Sequence, residues 1–307
     1  MGRRSPCHWP WLLLVGLLWL GCARRPLPPP PTRPVVASVD IIAVGHGDSI
    51  LVRSAAGKRL LIDGGEAKAA GAVLALLHER KACPLDLILL THPHADHVGG
   101  LPRVVESCGV RQVMDGGYPH ASQIYNRLLA LLEERGIPLL RAEVGRRIEL
   151  GMGVVLTLLG PPQPFLETGS DGVNASSVVS RLAVGGASVL LAGDATAAAE
   201  AWLLGQGTPL RSTVLKVGHH GSRTSSSASF LAAVSPRLAV ISNAPDAPKH
   251  PHPETLARLA EVGTGVLETA REGTIHLELD GETVAWSSAS HPRDRAQAGT
   301  VPAEGRP

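Results

Sequence analysis

The sequence is poor in aromatic residues, which make up only 3% of its 307 positions. Three of the five tryptophans, Trp9, Trp11 and Trp19, fall within the first 20 residues. A surface that stacks successive bases of single-stranded nucleic acid needs more aromatic rings than the remaining chain supplies. Excess charge is also lacking, because the formal net charge is only +2. The charge balance therefore argues neither for nor against nucleic acid as a partner.

The apolar run near the N-terminus is too short to cross a membrane. It covers residues 11–20 and follows the basic pair Arg3 and Arg4. A spanning helix needs ~20 residues, whereas this run has the size of the hydrophobic region of a secretory signal. Gly21-Cys22-Ala23 follows at once and resembles a bacterial lipobox, with Trp19 where leucine is preferred. We predict a signal peptide over residues 1–21 and a lipid on Cys22; an ordinary signal peptide and an uncleaved anchor are the alternatives.

Proline and polar residues mark the limits of the folded part. Residues 26–34 contain six prolines, so we predict a stiff, extended tether over residues 22–34. Residues 287–307 are polar and show no apolar period, which predicts a disordered tail. Between them, residues 35–286 are expected to form one globular domain, in line with 44% hydrophobic and 18% charged residues overall.

Short apolar runs and amphipathic stretches alternate along this body. Strands are predicted at 35–44, 50–53, 59–62, 85–90, 154–159, 178–184, 188–191, 213–217, 238–241, 274–279 and 283–286. Helices are predicted at 67–80, 121–135, 195–204, 228–234 and 253–262. Because strands occur in runs and helices occur in both halves, the pattern predicts an α/β sandwich of stacked layers in a single domain.

The histidines that indicate chemistry follow the predicted strand at 85–90. That strand ends at Thr91, and His92-Pro93-His94-Ala95-Asp96-His97 comes directly after it. Two histidines two positions apart in an extended stretch point the same way and can hold one metal ion. Asp96 and His97, just past the turn, are placed to hold a second ion, and Gly99-Gly100 lets the backbone turn into a helix. Four metal-type ligands in six residues at a strand end indicate a metal site.

This run resembles the HxHxDH signature of the metallo-β-lactamase superfamily. The segments that follow the order of the hydrolase domain of ComEC-type competence proteins are DIIAVGHGDS at 40–49, LLIDGG at 60–65, NASSVV at 174–179, LAGD at 191–194, LKVGHHGS at 215–222 and KHPHP at 249–253. The resemblance covers about residues 39–274. It implies a metallo-β-lactamase-type αββα sandwich in one domain.

The resemblance also implies roles for individual residues. His92 and His94 would bind the first metal, Asp96 and His97 the second, and Asp194 would bridge both. The ions would be two divalent metals, Zn²⁺ or Mn²⁺, since a shell of histidines and aspartates accepts either. A hydroxide held between them would be the nucleophile, because a bound metal lowers the pKa of water toward ~7. The alternative for Asp194 is a simple N-cap of the helix at 195–204.

Other residues have two interpretations each. His219 or His220 would complete the metal shell or face the substrate; a solvated turn is the alternative. His252 is a further candidate ligand or part of a surface loop. Lys216 suits an anionic oxygen of the substrate, or is an exposed strand residue. Asp63 is expected to be a structural carboxylate that accepts backbone N–H groups. We therefore take Asp96, Lys216 and His220 as the candidate catalytic residues.

The chain departs from the superfamily pattern at two places. Many members have another histidine between the signature and the bridging aspartate, whereas this chain has Asn174-x-x-Ser177 there and only His120 earlier. The first metal is thus left with fewer strong ligands, so that site is weak or fills only with substrate present. The second departure is His46, where the branch usually has glutamine; it is a substrate contact or a tolerated change.

Cysteine is scarce, with only four in the chain. Cys7 and Cys22 belong to the predicted signal, which leaves Cys83 and Cys108. In an oxidising compartment these two form a disulfide or remain buried thiols. If strand 85–90 runs toward the metals and the next helix runs back, both cysteines lie at the far end, where a disulfide would brace the signature loop.

Together these features predict an exported dinuclear metal-dependent hydrolase of the bacterial envelope, periplasm-facing or at the cell surface. The favoured substrate is a phosphodiester, either DNA or a phosphodiester of the envelope. The expected partners are this substrate and, through a lipid anchor, the membrane; no stable protein partner is inferred. The alternatives are a lactone or amide hydrolase and an inactive binding module, which would purify with little metal.

Overall fold

The computed structural model describes residues 1–2, 33–246, 249–288 and 298–303. Residues 3–21 of the predicted signal peptide, the predicted lipidation site Cys22 and most of the tether therefore lie outside the described residues. In chain order, the described strands are β1 (Ala37–Ile41), β2 (Ile50–Ser54), β3 (Arg59–Ile62), β4 (Leu87–Leu90), β5 (Val113–Asp115), β6 (Leu139–Arg141), β7 (Arg147–Glu149), β8 (Val154–Leu158), β9 (Ser180–Val184), β10 (Ala187–Leu191), β11 (Val214–Lys216), β12 (Leu238–Ile241), β13 (Gly265–Glu268), β14 (Ile275–Leu279), β15 (Thr283–Ser288) and β16 (Ala298–Pro302).

The described helices connect these strands. They are α1 (Ala70–Glu79), α2 (Ala95–Val98), α3 (Leu101–Cys108), α4 (Gln123–Glu134), α5 (Gly172–Ala175), α6 (Ala197–Gly205), α7 (Ala228–Val234), α8 (Pro253–Glu261) and α9 (Thr269–Glu272). Within the described residues, none of them is long and apolar enough to span a bilayer.

The strands form two mixed sheets. The first has the order β16-β15-β14-β1-β2-β3-β4-β5-β6, and the second β13-β12-β11-β10-β9-β8-β7. Strands β3 to β6 run parallel in the first sheet, and β10 to β13 run parallel in the second. Parallel neighbours end at the same edge of a sheet, so the loops that follow them are brought together.

Three apolar clusters show how the layers stack. One cluster joins the inner faces of the two sheets, with Val39 and Leu89 packed on the same side as Leu156 and Val189. A second lies between the first sheet and helices α1, α3 and α4. A third lies between the second sheet and helices α6, α7 and α8. The order helix, sheet, sheet, helix confirms the predicted αββα sandwich in a single domain.

Strand β4 illustrates why the apolar run at 85–90 becomes a central strand. Leu87 and Leu89 point into the space between the sheets, whereas Ile88 and Leu90 point toward the helices. Successive side chains of a strand alternate between faces, and both faces of β4 are covered. An uninterrupted run of leucine and isoleucine is therefore required here.

Most predicted elements agree with the structure to within a few residues, but several short ones were missed. Strands β5, β6 and β7 have only three residues each. β5 pairs with β4 and β6, and β7 pairs with the following strand β8. Three residues are too few for an apolar period to indicate a strand, whose formation depends on these partners. Strand β13 was missed as well; two of its four residues are exposed.

The C-terminal segment corrects one prediction. Strand β15 continues to Ser288, and Ala298–Pro302 forms β16, which pairs antiparallel with β15. The expectation of a disordered tail from residue 287 is therefore wrong for residues 287–288 and 298–302. Gly299 lies against the Trp286 indole, where a Cβ would approach Nε1 to 2.5 Å. An edge strand of this kind is defined by its partner and not by an apolar period of its own.

The two cysteines of the body are bonded to each other. Cys83 and Cys108 form a disulfide with a Cα–Cα distance of 5.0 Å, so of the two alternatives left open by the sequence the disulfide is the one observed. Cys83 precedes β4, and Cys108 is the last residue of α3. The bond therefore closes a covalent ring of the chain around the whole HxHxDH segment.

We predict that the double substitution Cys83→Ser, Cys108→Ser lowers the free energy of unfolding by about 3 kcal/mol, because a ring of this length restricts the unfolded chain. Urea denaturation under non-reducing conditions measures the difference. Reduced wild-type protein serves as the matched control and should approach the variant. Detection of thiols from Cys83 and Cys108 in denatured, unreduced wild-type protein would contradict the pairing.

Candidate metal centre

The candidate site residues lie where loops from both sheets meet. His92 to His97 follow β4 in the first sheet, and Asp194 and the pair His219-His220 follow β10 and β11 in the second. The backbone links the two sheets here, because Val178 N, just before β9, donates to Thr91 O (2.9 Å); within the second sheet, His219 N donates to Gly193 O (3.0 Å). The site is therefore built at the seam between the sheets.

The signature segment places four potential ligands within six residues, from His92 to His97. The backbone at His94 is extended, and His92 Nε2 lies 3.1 Å from His94 Nδ1. The chain then enters the short helix α2, which carries Asp96 and His97. His97 Nε2 lies 3.6 Å from Asp96 Oδ2. The change from strand to helix thus separates two pairs of ligand atoms, one on each side of the turn.

The carboxylate of Asp194 lies between these two pairs. Its Oδ1 is 3.4 Å from His97 Nε2 and 3.5 Å from His220 Nε2. Its Oδ2 is 3.7 Å from His92 Nε2 and 3.8 Å from His219 Nε2. Helix α6 has Thr196, not Asp194, at its N-cap position, so helix capping does not account for Asp194. One carboxylate oxygen faces each group of histidines.

The group on the Oδ1 side has the form of a metal site. Asp96, His97, Asp194 and His220 each offer a ligand atom, and these atoms all lie within 4.8 Å of one another. Within the described part of the chain, His97 Nε2, His220 Nε2 and Asp194 Oδ1 are buried and have no hydrogen-bond partner. Buried polar atoms are almost always satisfied. Three such atoms that lie close together without partners are the arrangement expected of ligands for a divalent ion.

Hydrogen bonds on the far side of each ring direct these nitrogens inward. His97 Nδ1 donates to Asp63 Oδ2 at 2.8 Å, and His220 Nδ1 donates to the carbonyl oxygen of Ser242 at 3.1 Å. A proton fixed on Nδ1 leaves the lone pair on Nε2. Carboxylate and carbonyl partners of this kind orient histidine ligands in metal sites.

Asp63 also orients His92, through Thr91. The carboxylate accepts the backbone N–H and the hydroxyl of Thr91, both at 2.7 Å. Because the Thr91 hydrogen is directed to Asp63, its oxygen accepts from His92 Nδ1 at 3.1 Å. The acceptance of a backbone N–H agrees with the expected structural role of Asp63. In addition, this one carboxylate sets the tautomer of a histidine in each pair.

The electrostatics separate the two groups of histidines. Burial lowers the pKa of His97 and His220, but Asp194, with Asp63 or Asp96, raises each pKa above its ordinary value. Burial raises the pKa of Asp194, and His97 and His220 then hold it well below its ordinary value. On the other side, burial lowers the pKa of His92, His94 and His219. Because neutral imidazoles and ionised carboxylates are the forms that bind metal, an ion at the His97 and His220 side would have to displace a proton, whereas His92, His94 and His219 are already favoured in the neutral form.

Lys216 does not face the site opening, which corrects the prediction that it contacts a substrate oxygen. Its side chain is 1% exposed, its Nζ lies 2.9 Å from Asp48 Oδ1, and it donates to the Val217 carbonyl oxygen at 2.9 Å. The alternative of an exposed strand residue is equally wrong. The reason is that β11 is a central strand covered on both faces. Asp48, Asp63 and His97 form a second close group, beside which Lys216 supplies the positive charge.

His252 is also placed differently from the prediction. It is the N-cap residue of α8, where its Nδ1 accepts the backbone N–H of Glu254 at 3.4 Å, and this position corrects its expected role as a ligand. His250 of the same motif lies at the site instead, with its ring centroid 5.8 Å from that of His219. Burial and the neighbouring histidines lower the pKa of His250 to about 4. Each of the two histidines is followed by a proline, so the sequence alone does not indicate which of them faces the site.

The position of the absent histidine is filled by small polar groups. Ser177 Oγ lies 3.4 Å from His92 Nδ1 and accepts the backbone N–H of Asp194 at 3.1 Å. Asn174 is buried nearby in the chain, in α5. The ring centroid of His120 lies 5.6 Å from that of His94. The Oδ1 side of Asp194 therefore includes a second carboxylate, that of Asp96, whereas the Oδ2 side has the hydroxyl of Ser177 beside its histidines.

Comparison with known proteins agrees with this geometry. The family model described as "Metallo-beta-lactamase superfamily" matches residues 42–244. The chain belongs to this superfamily. The matched region of the superfamily domain contains the signature segment, Asp194 and the His219-His220 pair, but ends before the KHPHP motif.

The similar proteins include competence proteins. The chain is 33% identical over 275 residues to "Competence protein ComA" of Neisseria gonorrhoeae, covering 88% of this chain and 35% of that protein. It is 27% identical over 268 residues to "ComE operon protein 3" of Bacillus subtilis, covering 81% of this chain and 34% of that protein. The chain thus spans about a third of the length of these relatives, and the predicted resemblance to ComEC-type proteins is confirmed.

A solved structure shares the fold. The metallo-β-lactamase fold protein YhfI from Bacillus subtilis superposes with a TM-score of 0.52 at 14% identity, covering 79% of this chain and 99% of that one. At this level of identity the likeness concerns the fold alone.

We predict that Asp63→Asn weakens zinc binding about 10- to 100-fold, as loss of a carboxylate partner of a histidine ligand usually does. The asparagine amide places a donor opposite His97 Nδ1, so the proton moves to Nε2 and blocks the ligand atom. Competition with a chromogenic chelator measures the affinity, and Asp280→Asn, in the turn between β14 and β15, is the matched control. Unchanged zinc affinity in a folded Asp63→Asn protein would show that Asp63 does not orient His97.

Proposed function

We propose that the protein is a dinuclear metal-dependent hydrolase that cleaves phosphodiesters at the bacterial cell envelope. The observation that carries this proposal is the two-sided position of Asp194. One of its oxygens faces His97 and His220, and the other faces His92 and His219, at 3.4 to 3.8 Å. A single carboxylate shared by two groups of ligands is the arrangement expected of a bridged pair of ions.

The proposed ligands fall into two sets. Asp96, His97 and His220 would hold one ion with Asp194 Oδ1, and His92, His94 and His219 would hold the other with Asp194 Oδ2. Both members of the His219-His220 pair are thus ligands, one for each ion. Zinc and manganese both suit these donors. Bound ions would supply activated water at neutral pH and would neutralise charge on the substrate.

Two points support a phosphodiester as substrate. Sites with two ions suit in-line displacement at phosphorus, since they stabilise both the attacking and the leaving oxygen. The relatives that cover most of this chain are competence proteins, which favours DNA among the candidate phosphodiesters. Asp96 and His220 remain the candidate catalytic residues, and Asp96 Oδ2 lies 3.3 Å from His220 Nε2. Lys216 is no longer among them, because it is buried and pairs with Asp48.

The N-terminal sequence supports a location at the envelope. Residues 11–20 have the size of a signal-peptide core, and Cys22 follows directly. In this proposal the chain is exported, a lipid on Cys22 holds it to the membrane, and the prolines of residues 26–34 separate the domain from the bilayer. No stable protein partner is proposed.

We expect the zinc- or manganese-loaded protein to hydrolyse bis(p-nitrophenyl) phosphate and linear DNA. Asp194→Ala should lose at least 100-fold in kcat/KM, on the order seen when a major electrostatic element of an active site is removed. Release of p-nitrophenol and gel analysis of DNA measure the two activities, with metal content determined in parallel. Asp280→Asn serves as the matched control and should keep full activity.

The alternatives give different results in the same assay. Turnover of lactone or amide substrates without turnover of phosphodiesters would replace the proposal with the lactone or amide hydrolase. Absence of both turnover and bound metal after reconstitution would favour a binding module.

We further expect Cys22→Ser to move the protein from the membrane fraction to the soluble extract of cells that produce it. Loss of the only sulfur at the predicted lipidation site removes the lipid, and one folded domain without it has no proposed membrane contact. Immunoblotting of fractionated cells measures the shift, and Cys7→Ser is the control. Equal membrane retention of both variants would argue for an uncleaved anchor.

A further inference from the structure

Two histidines outside the proposed ligand sets lie at the rim of the metal centre. The ring centroid of His46 is 4.5 Å from that of His220 and 5.5 Å from that of His250. The ring of His250 in turn stacks on His219 at 5.8 Å. His46 thus lies beside one proposed ligand set and His250 beside the other.

The loop that carries His46 is fixed against the signature segment. Gly47 has a φ of +113°, and a Cβ at this position would lie 2.0 Å from the Asp96 carbonyl oxygen. The neighbouring Asp48 N donates to the same oxygen at 3.2 Å. Only glycine permits this close approach. The position of the His46 ring is therefore set by backbone packing, as a binding group requires.

The imidazole of His46 has hydrogen-bonding capacity that the protein leaves open. Its Nε2 lies 3.6 Å from Asp96 Oδ2, which is longer than a hydrogen bond. Its Nδ1 has no hydrogen-bond partner in the described part of the chain. The side chain is 34% exposed, and the edge formed by His46 and Asp96 borders a cavity of about 650 Å³ that Glu66, Lys68 and Ile124 also line. A solute in this cavity therefore reaches the exposed part of the His46 ring, whereas Nδ1 itself is buried.

We propose that His46 and His250 bind the non-bridging oxygens of the substrate's phosphoryl group, one histidine at each half of the metal centre. This inference rests on the proposed function and adds the groups that recognise its substrate. A phosphodiester presents two non-bridging oxygens, whereas the carbonyl of a lactone or amide presents one. Two imidazole N–H donors at separate points of the rim match the two non-bridging oxygens of a phosphodiester. Ring N–H groups donate well to anionic oxygens.

Binding of inorganic phosphate to the zinc-loaded protein tests this inference without requiring turnover. His46→Phe keeps an aromatic ring against His220 and His250 but removes the N–H, whereas His46→Gln keeps an N–H donor. We expect the Kd for phosphate, measured by calorimetry, to rise about three- to tenfold in His46→Phe and in His250→Phe. It should stay within about twofold of wild type in His46→Gln. His78→Phe, at an exposed position of α1, is the matched control and should behave as wild type.

Steady-state kinetics provides a second readout. In His46→Phe the KM for bis(p-nitrophenyl) phosphate should rise by a similar factor while kcat changes little, because a contact made equally in the ground and transition states affects KM. Zinc content and Tm should match those of the wild-type protein. A substitution that acted only through the fold would lower zinc content or Tm, and His46→Gln would not restore binding.

The outcomes separate this inference from the proposed function. Wild-type protein that binds phosphate and loses affinity in His46→Phe, but turns over no phosphodiester, would support the rim site and contradict the proposed function. Phosphodiester turnover with equal phosphate affinity in wild type and His46→Phe would overturn the rim site alone. Loss of zinc in His46→Phe, or no phosphate binding by the zinc-loaded wild type, would also overturn it.

Discussion

The geometry of the metal centre depends on one buried carboxylate, that of Asp63. It accepts the N–H and hydroxyl of Thr91 and the Nδ1 hydrogen of His97, so it fixes the end of β4 and the orientation of a histidine in each group. Its own backbone has a φ of +58°, a conformation that aspartate tolerates better than most residues. Gly64 N then donates to the His97 carbonyl oxygen at 2.7 Å. The turn after β3 and the signature loop after β4 therefore hold each other in place.

The sequence was informative where chemistry and local structure coincide in a few residues. The HxHxDH run follows a strand that is apolar on both faces, and this combination predicts the location of the candidate ligands. The αββα fold was implied by the resemblance of six ordered motifs to the superfamily. The predictions for Lys216 and His252 were wrong for a shared reason, namely that the surroundings of each residue come from distant segments of the chain. The burial of Lys216 depends on Asp48, 168 positions earlier in numbering, and the KHPHP motif does not show whether His250 or His252 turns inward. Edge strand β16 likewise requires its partner β15 before it can be recognised.

The two halves of the centre are supported unequally. The ligand atoms around Asp194 Oδ1 include two imidazoles whose outer nitrogens are held by Asp63 and Ser242. The half around Oδ2 has Ser177 where many superfamily members have a further histidine, and its histidines have lowered pKa values because of burial. In the proposed dinuclear centre, a difference of this kind would give unequal affinities for the two ions. His46 lies beside His220 and His250 lies beside His219, so the proposed substrate contacts would fall on both halves of this asymmetric centre.

The disulfide gives the signature segment a property that hydrogen bonds alone do not provide. Cys83 and Cys108 close a ring that contains His92, His94, Asp96 and His97. Even when the surrounding structure fluctuates, these four side chains stay within one covalent loop, so less conformational entropy is lost when they gather around an ion. Such preorganisation lowers the cost of binding an ion again after it has escaped.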